Sequence, residues 1–189
     1  MAKKQILSFI VVLVALAAPR LVHAQELRWE TNAAYSHASI EGFSLHGASF
    51  DTSARVKVQD WVHVGGRTGM HIMGSERFWT LKLGDLRVGE GLGVIPLHVL
   101  VEIIPPLKSK VRPILGLSAG ISGAGFINQS TDYRLAASPY AGVELGPLTI
   151  FARYDRLFGT VLGAKVEYLS AGLGYRWGGP VKAVGVSVL

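Results

Sequence analysis

"LRWETNAAYS", residues 27–36, alternates two kinds of side chain. Leu27, Trp29, Thr31, Ala33 and Tyr35 fall on one face of an extended chain, and Arg28, Glu30, Asn32, Ala34 and Ser36 on the other, because successive side chains of a strand point to opposite sides. One face is apolar and the other is charged. A period of two, in place of the helical 3.6, predicts a strand, and the same pattern recurs downstream in segments of roughly ten residues separated by turn chemistry.

Over residues 46–58, Phe50, Thr52, Ala54, Val56 and Val58 alternate with Asp51, Ser53, Arg55 and Lys57, and Gln59-Asp60 makes a tight connection. In the third segment Val62, Val64, Thr68, Met70 and Ile72 oppose His63, Arg67 and His71. The polar stretch 74–91 predicts a large loop or the projecting ends of two strands. "IPLHVLVEII" (95–104) and "VRPILGLSAGIS" (111–122) are the fourth and fifth segments, joined by the turn "PPLKSK", and a further loop is expected at about 122–132. The sixth (133–145) ends at Gly146-Pro147, the seventh is "LTIFARYDRL" (148–157) and the eighth covers about 165–177. Residues 91–106 and 114–126 can also be read as apolar helices, but both fall short of the roughly 20 residues a spanning helix needs, and the first contains His98, Glu102 and prolines.

Alternation alone does not separate a soluble barrel from one in lipid; the placement of charge does. In a membrane barrel the apolar face meets lipid and the polar face lines a narrow interior. Here Arg28, Arg55, Lys57, Arg67, Arg112, Arg153 and Arg176 share that interior parity with Glu30, Asp51, Glu102, Glu144 and Asp155. Opposite signs on neighbouring strands can pair across the lumen, which compensates charges that burial would otherwise penalise. The other face consists mostly of Thr, Ala and Val, with aromatics near the strand ends. Trp29 opens the first strand, Trp61 the third, and Tyr175 and Trp177 close the eighth, so all fall at one end of an up-and-down barrel, as an interfacial aromatic girdle does. The expected architecture is all-β: an eight-stranded antiparallel up-and-down transmembrane β-barrel over residues 25–177.

The N-terminus reads as an export signal over residues 1–24: Lys3 and Lys4, an apolar run from Ile6 to Ala18, and Val22-His23-Ala24 as a small-residue cleavage site, with cleavage expected after Ala24. Its removal takes away Lys3, Lys4 and Arg20 and no acid, so the formal charge falls from +6 to +3. The remaining balance, with no Lys/Arg cluster interleaved with aromatics, argues against a nucleic-acid partner. The chain has no Cys and therefore no disulfide framework.

"SAGLGYRW" (170–177) resembles the assembly signal of bacterial outer-membrane β-barrels, in which a polar residue, a glycine and two aromatics, here Ser170, Gly172, Tyr175 and Trp177, are read by the barrel-assembly machinery. "VRPILGLSAG" and "LTIFARYDRLF" are similar to strands of the small eight-stranded OmpW and OmpX types. The likeness covers most of residues 26–177 and implies a bacterial outer-membrane location, amid lipid and lipopolysaccharide, with no cofactor. In that family the signal normally ends the chain, whereas here "GGPVKAVGVSVL" (178–189) follows, as a tail or as a further strand.

An eight-stranded barrel has an interior that side chains fill, which excludes a wide aqueous pore. The leading expectation is a barrel without enzymatic activity, in a structural or surface-interaction role. An alternative, which the OmpW resemblance implies, is a conduit for small hydrophobic molecules, with Pro96 and Pro113 as local breaks in strand pairing. A third is a lipid A acyl hydrolase. In "YSHASIE" (35–41), His37, Ser39 and Glu41 share one face, and the His-x-Ser pair resembles the catalytic pair of outer-membrane lipid A deacylases, with His37 as base for Ser39. No metal site is expected: His63 and His71 share a face but stand eight residues apart, about 26 Å along an extended strand.

Overall fold

The computed structural model describes residues 26–40, 43–76, 91–107, 109–126 and 129–180. Each alternating segment is a strand: β1 (Glu26–Ile40), β2 (Phe43–Gln59), β3 (Val62–Gly74), β4 (Gly91–Ile103), β5 (Val111–Phe126), β6 (Asp132–Leu145), β7 (Leu148–Leu157) and β8 (Glu167–Pro180). Each pairs antiparallel with its sequence neighbours, and β8 returns to β1, so the sheet closes as a barrel. Closure leaves no edge with unpaired N–H and C=O groups, the condition for a sheet surrounded by hydrocarbon. The two runs that could be read as helices are β4 and β5.

The strand ends define two rims. At the turn end lie Glu26, Pro180 and the connections 60–61, 104–110 and 146–147; at the loop end lie the remaining connections. The bend at Gly146-Pro147 needs a left-handed residue, supplied by Gly146 at φ 65°.

Burial alternates with the register, and the charged face is the buried one. Along β7, Thr149, Phe151, Arg153, Asp155 and Leu157 are buried while Leu148, Ile150, Ala152, Tyr154 and Arg156 are exposed. Leu97 is 70% exposed and Leu173 60%, whereas Glu102 is 0% and Asp155 1%. Water-soluble barrels invert this pattern, because apolar surface is driven out of water. A continuous apolar exterior around a charged interior is the arrangement that a lipid solvent selects.

Several strands run further toward the loop end than the alternation predicts. β2 starts at Phe43 instead of 46, β4 at Gly91 instead of 95, and β5 continues to Phe126 instead of 122. The reason lies inside the barrel. At the loop end the inward side chains include Ala38, Leu45, Met73, Val94, Phe126, Ala136, Leu157 and Tyr168, so that every strand contributes at least one, packed with Val161, Ala164 and Val166 of the β7–β8 connection. There the inner face is apolar and the outer one carries Ser44, His46, Gly93 and Gly125, so the polar-in, apolar-out alternation is lost while the strand continues. This corrects the expectation of a polar interior throughout: the lumen is charged toward the turn end and hydrophobic toward the loop end.

The β7–β8 connection is shaped to fill that end. Val161 and Ala164 exchange two backbone hydrogen bonds, of 2.8 and 3.0 Å, around Leu162 (φ 51°) and Gly163 (φ 94°), the geometry of a tight hairpin turn. Leu157 N–H donates to the Val166 carbonyl (3.0 Å) and Phe158 N–H to the Leu135 carbonyl (2.8 Å), which ties the turn to the rim.

The exterior supplies a test of its solvent. Leu97 lies mid-strand in β4 and faces outward. In phospholipid vesicles, Leu97→Arg is expected to lower the unfolding free energy by about 2–4 kcal/mol, the cost of an arginine at the bilayer midplane, measured by reversible denaturant unfolding. A change within about 0.5 kcal/mol, as for an ordinary water-exposed position, would contradict a lipid-facing exterior.

Candidate functional site

The residues singled out for the lumen all carry inward register, and they fall into two layers. Nearer the turn end, Arg28, Arg55, Arg112 and Arg176 meet Glu26, Glu30, Glu102 and Glu144. Glu102, from β4, is the hub: its Oε1 accepts from Arg55 Nη1 (2.5 Å), Arg176 Nη2 (2.9 Å) and Tyr140 Oη (2.7 Å). Arg176 also donates to Glu144 (2.6 Å) and to Glu30, and Arg112 to Glu144. Arg55 reaches Glu30 at 3.2 Å, and Arg28 binds Glu26 at 2.7 Å. Lys57 sits at the rim, 3.0 Å from exposed Asp60.

The second layer is smaller and nearer mid-barrel. Asp155 accepts from Arg67 (3.1 Å), Arg153 (3.0 Å) and Ser138 (2.5 Å), and Asp51 accepts from Arg153 (2.8 Å) and Asn32 (2.9 Å). Beside them the His98 ring lies between Ser118 (3.2 Å) and Ser122 (2.9 Å). Each layer balances its charges, arginine against carboxylate. In so dry a site balance is required, since an unpaired buried ion costs several kcal/mol.

One absent side chain makes the hub possible. Gly116 on β5 is the register partner of Tyr140 on β6, and a Cβ there would come within 2.2 Å of the Tyr140 ring. The ring therefore lies across β5 and brings its hydroxyl to Glu102 on β4. Sequence reading passed over Tyr140, and the signal that finds it is the pairing of an interior glycine with an interior aromatic on the next strand, visible only once register is known.

Little space remains. The cavity between the layers, lined by Arg55, Arg67, Tyr140 and Arg153 among others, is about 20 Å³, room for about one water. At the turn end an open vestibule of about 250 Å³ is lined by Arg28, Lys57, His63 and Arg112. His63 and His71 both point inward, with His71 edge-on to Tyr168 at 5.1 Å, and among the described residues no group of three or more His, Asp or Glu could hold a metal.

Outside the lumen, Trp29, Trp61, Tyr175 and Trp177 are all exposed at the turn end. Trp29 and Trp177 are register partners across the β1–β8 seam, and the Tyr175 and Trp177 ring centroids are 6.2 Å apart. Ser170 faces inward and shares a 2.8 Å hydrogen bond with Ser36, and a Cβ on Gly172 would lie 2.2 Å from the Ala33 carbonyl, so a larger residue there would push the seam apart. β8 continues past Trp177 to Pro180, opposite Glu26, so residues 178–180 extend the closing strand. Residues 181–189 and the 1–24 segment lie outside the described residues, as does most of the loop predicted at 74–91.

His37 and Ser39 face outward near the loop end, with no hydrogen bond between them; Glu41 lies outside the described residues. The structure instead sets His37 beside His46 of β2 and Ser39 beside Ser44. Of the prolines, Pro96 does interrupt a ladder: β3 and β4 pair at Thr68–Leu97 and at His71–Val94 but not at the two positions between. Pro113 lies within the β5–β6 ladder, opposite Val143, and breaks nothing there. The second interruption falls at Pro139, between Ala137–Arg156 and Tyr140–Arg153 of β6 and β7. Each gap follows from the missing proline N–H.

No protein-family model matches the chain, and no curated protein matches it. Among solved structures it is similar to Neisserial surface protein A, at 20% identity over 79% of this chain and 95% of that one, with a TM-score of 0.61. The outer-membrane protein OprG from Pseudomonas aeruginosa aligns over 82% of this chain and 97% of its own at 10% identity and TM-score 0.46. Ail, the attachment invasion locus protein of Yersinia pestis, aligns over 82% and 99% at 15% identity and TM-score 0.44. The fold is that of the small outer-membrane β-barrels.

The hub generates a stability prediction. Glu102→Gln removes the charge that Arg55 and Arg176 share and is expected to cost about 3–5 kcal/mol, the penalty for breaking a buried ion pair from one side. Glu26→Gln, at the partly exposed rim, is expected to cost under about 1 kcal/mol. Denaturant midpoints of the two variants in vesicles, compared with the parent, check both.

Proposed function

We propose that this chain is an integral protein of the bacterial outer membrane, with no catalytic role, whose barrel acts as a closed scaffold with a structural or surface-interaction role. The turn end faces the periplasm and the loop end the exterior, following the rule that short turns are periplasmic and longer loops external. The observation that carries this reading is the filled lumen. The space between the two balanced ion-pair layers holds about one water, and above it the described residues pack a hydrophobic layer across the barrel, so the turn-end vestibule does not continue through them. Lipid and lipopolysaccharide are then the partners of the exterior, and the barrel-assembly machinery that of Ser170, Gly172, Tyr175 and Trp177.

A second reading, a conduit for small hydrophobic molecules, is favoured by one feature, the interrupted β3–β4 ladder at Pro96. A lateral exit would use such a gap. Against it, Arg67, His71 and His98, the inward residues on either side of that gap, are buried within the packed interior.

Two measurements test the closed scaffold. Protein extracted from outer membranes in detergent is expected to migrate faster unboiled than boiled, as a folded barrel does; recovery as a soluble periplasmic monomer would overturn the location. Reconstituted in planar bilayers it is expected to give no resolved conductance steps, and in cells its deletion is expected to leave uptake of apolar solutes unchanged. Steady channel openings, or an uptake defect, would favour the conduit.

A further inference from the structure

The turn-end vestibule is walled by hydrogen-bond donors. Arg28 of β1 and Lys57 of β2 line it on one side and Arg112 of β5 on the opposite wall, and among the described residues Asp60 is the one acid in its lining. Charge is balanced at this end, but donors are in excess. Arg28 commits Nε to Glu26 (2.7 Å), and its next carboxylate, Glu144, stands 3.8 Å from Nη1. Arg112 donates to Glu144 through Nη2, and Lys57 meets Asp60 at 3.0 Å. Glu144 is itself divided, since it also accepts from Arg176 deeper in the barrel (2.6 Å). A guanidinium carries five N–H groups and an ammonium three, so each of the three cations keeps donors beyond those its carboxylate engages.

His63 is a second, independent sign. Its residue is 2% exposed, it lines the same vestibule beside its register partner Lys57, and neither of its ring nitrogens has a hydrogen-bond partner. Buried polar atoms in folded proteins are paired as a rule, and a pair of orphans in the wall of an open cavity points to a group that binds there. No hydrogen bond holds the ring against turning about its Cβ–Cγ bond toward an acceptor in the vestibule. The remaining wall, Ile104, Pro106 and Leu107, is apolar, and a wall of low polarity strengthens any charged contact made beside it.

We infer that the vestibule is a binding site for a tetrahedral oxyanion of the phosphate type, free or as a phosphomonoester. The oxygens of such a group accept hydrogen bonds and carry charge, the complement of this lining. A planar carboxylate presents two oxygens in one plane, whereas a phosphate directs oxygens at once toward Arg28 and Lys57 on one side and Arg112 on the other. The ion-pair layer beneath closes the floor, so the ligand enters and leaves by the same mouth, and the site is a receptor and not a passage. That the ligand comes from the periplasm rests on the orientation proposed above; the binding itself rests on the vestibule alone.

Full-length protein folded in micelles of an uncharged detergent, in low-salt buffer free of phosphate, is titrated by calorimetry with inorganic phosphate and separately with glycerol 3-phosphate. One saturable site per barrel is expected, weakening as salt is raised; tighter binding of the ester identifies a phosphomonoester as the fitting form, and tighter binding of inorganic phosphate the free ion. Lys57→Gln and Arg112→Gln are each expected to weaken binding about tenfold or more, the factor that one charge-assisted hydrogen bond carries. Arg156→Gln makes the same change in net charge on the outer wall near the loop end, and is expected to leave binding unchanged. Migration of unboiled samples verifies that each variant folds, and Lys57→Gln, at the rim, decides the matter even if Arg112→Gln does not. No saturable binding at millimolar phosphate, binding that Lys57→Gln leaves unchanged, or binding that Arg156→Gln weakens equally, would overturn the site.

Discussion

The constraint on which everything else depends is that the backbone must satisfy itself. In hydrocarbon no solvent can accept the hydrogen bond of a stray N–H, so the sheet has to close, and the seam between β1 and β8 is where it closes. The residues at that seam reflect the requirement. Gly172 admits the β1 backbone at close range, Ser170 and Ser36 bond inside, and Trp29 and Trp177 face each other outside. With eight strands the enclosed space is narrow, and its width in turn decides what the interior can be.

A narrow closed interior has to be filled, and this chain fills it in two ways. Toward the turn end it uses ion pairs, which attract strongly only where water is scarce and which tie non-adjacent strands: Arg55 on β2 to Glu102 on β4, Arg153 on β7 to Asp51 on β2. Toward the loop end it uses dispersion and apolar burial, with a contribution from every strand. The ion pairs demand specific partners and so favour one register; the apolar layer tolerates approximate fit. Strand order and register are therefore set chiefly by the charged layers. The cost of burying so many ions is offset because each buried carboxylate, Glu30, Asp51, Glu102, Glu144 and Asp155, meets more than one donor.

Much of this was legible in the sequence and the rest was not, for identifiable reasons. Strand count, closure, the facing of Arg153 and Asp155, and the outward position of Trp177 all follow from a period of two with charge on one side. Strand ends at the loop side were read short, since Leu45, Val94 and Phe126 make the inner face apolar and erase the contrast on which alternation depends. Partners across the lumen were not legible at all. Tyr140 reaches Glu102 only because Gly116 on the intervening strand has no side chain, and the opposition of His37 and His46 is likewise a fact of register. Pro96 interrupts a ladder and Pro113 does not, because a proline matters only where its missing N–H would have met a neighbouring strand.

The β7–β8 connection has a consequence for anyone who would use this barrel to display foreign peptides. Its Val161, Ala164 and Val166 are a stopper seated in the mouth, whereas the tip at Leu162-Gly163 stands in the open, with nothing within 4 Å of a side chain built on Gly163. A graft spliced into the tip would extend outward and leave the stopper in place. The same graft set between Ala164 and Val166 would uncork the barrel, although both positions belong to one surface loop.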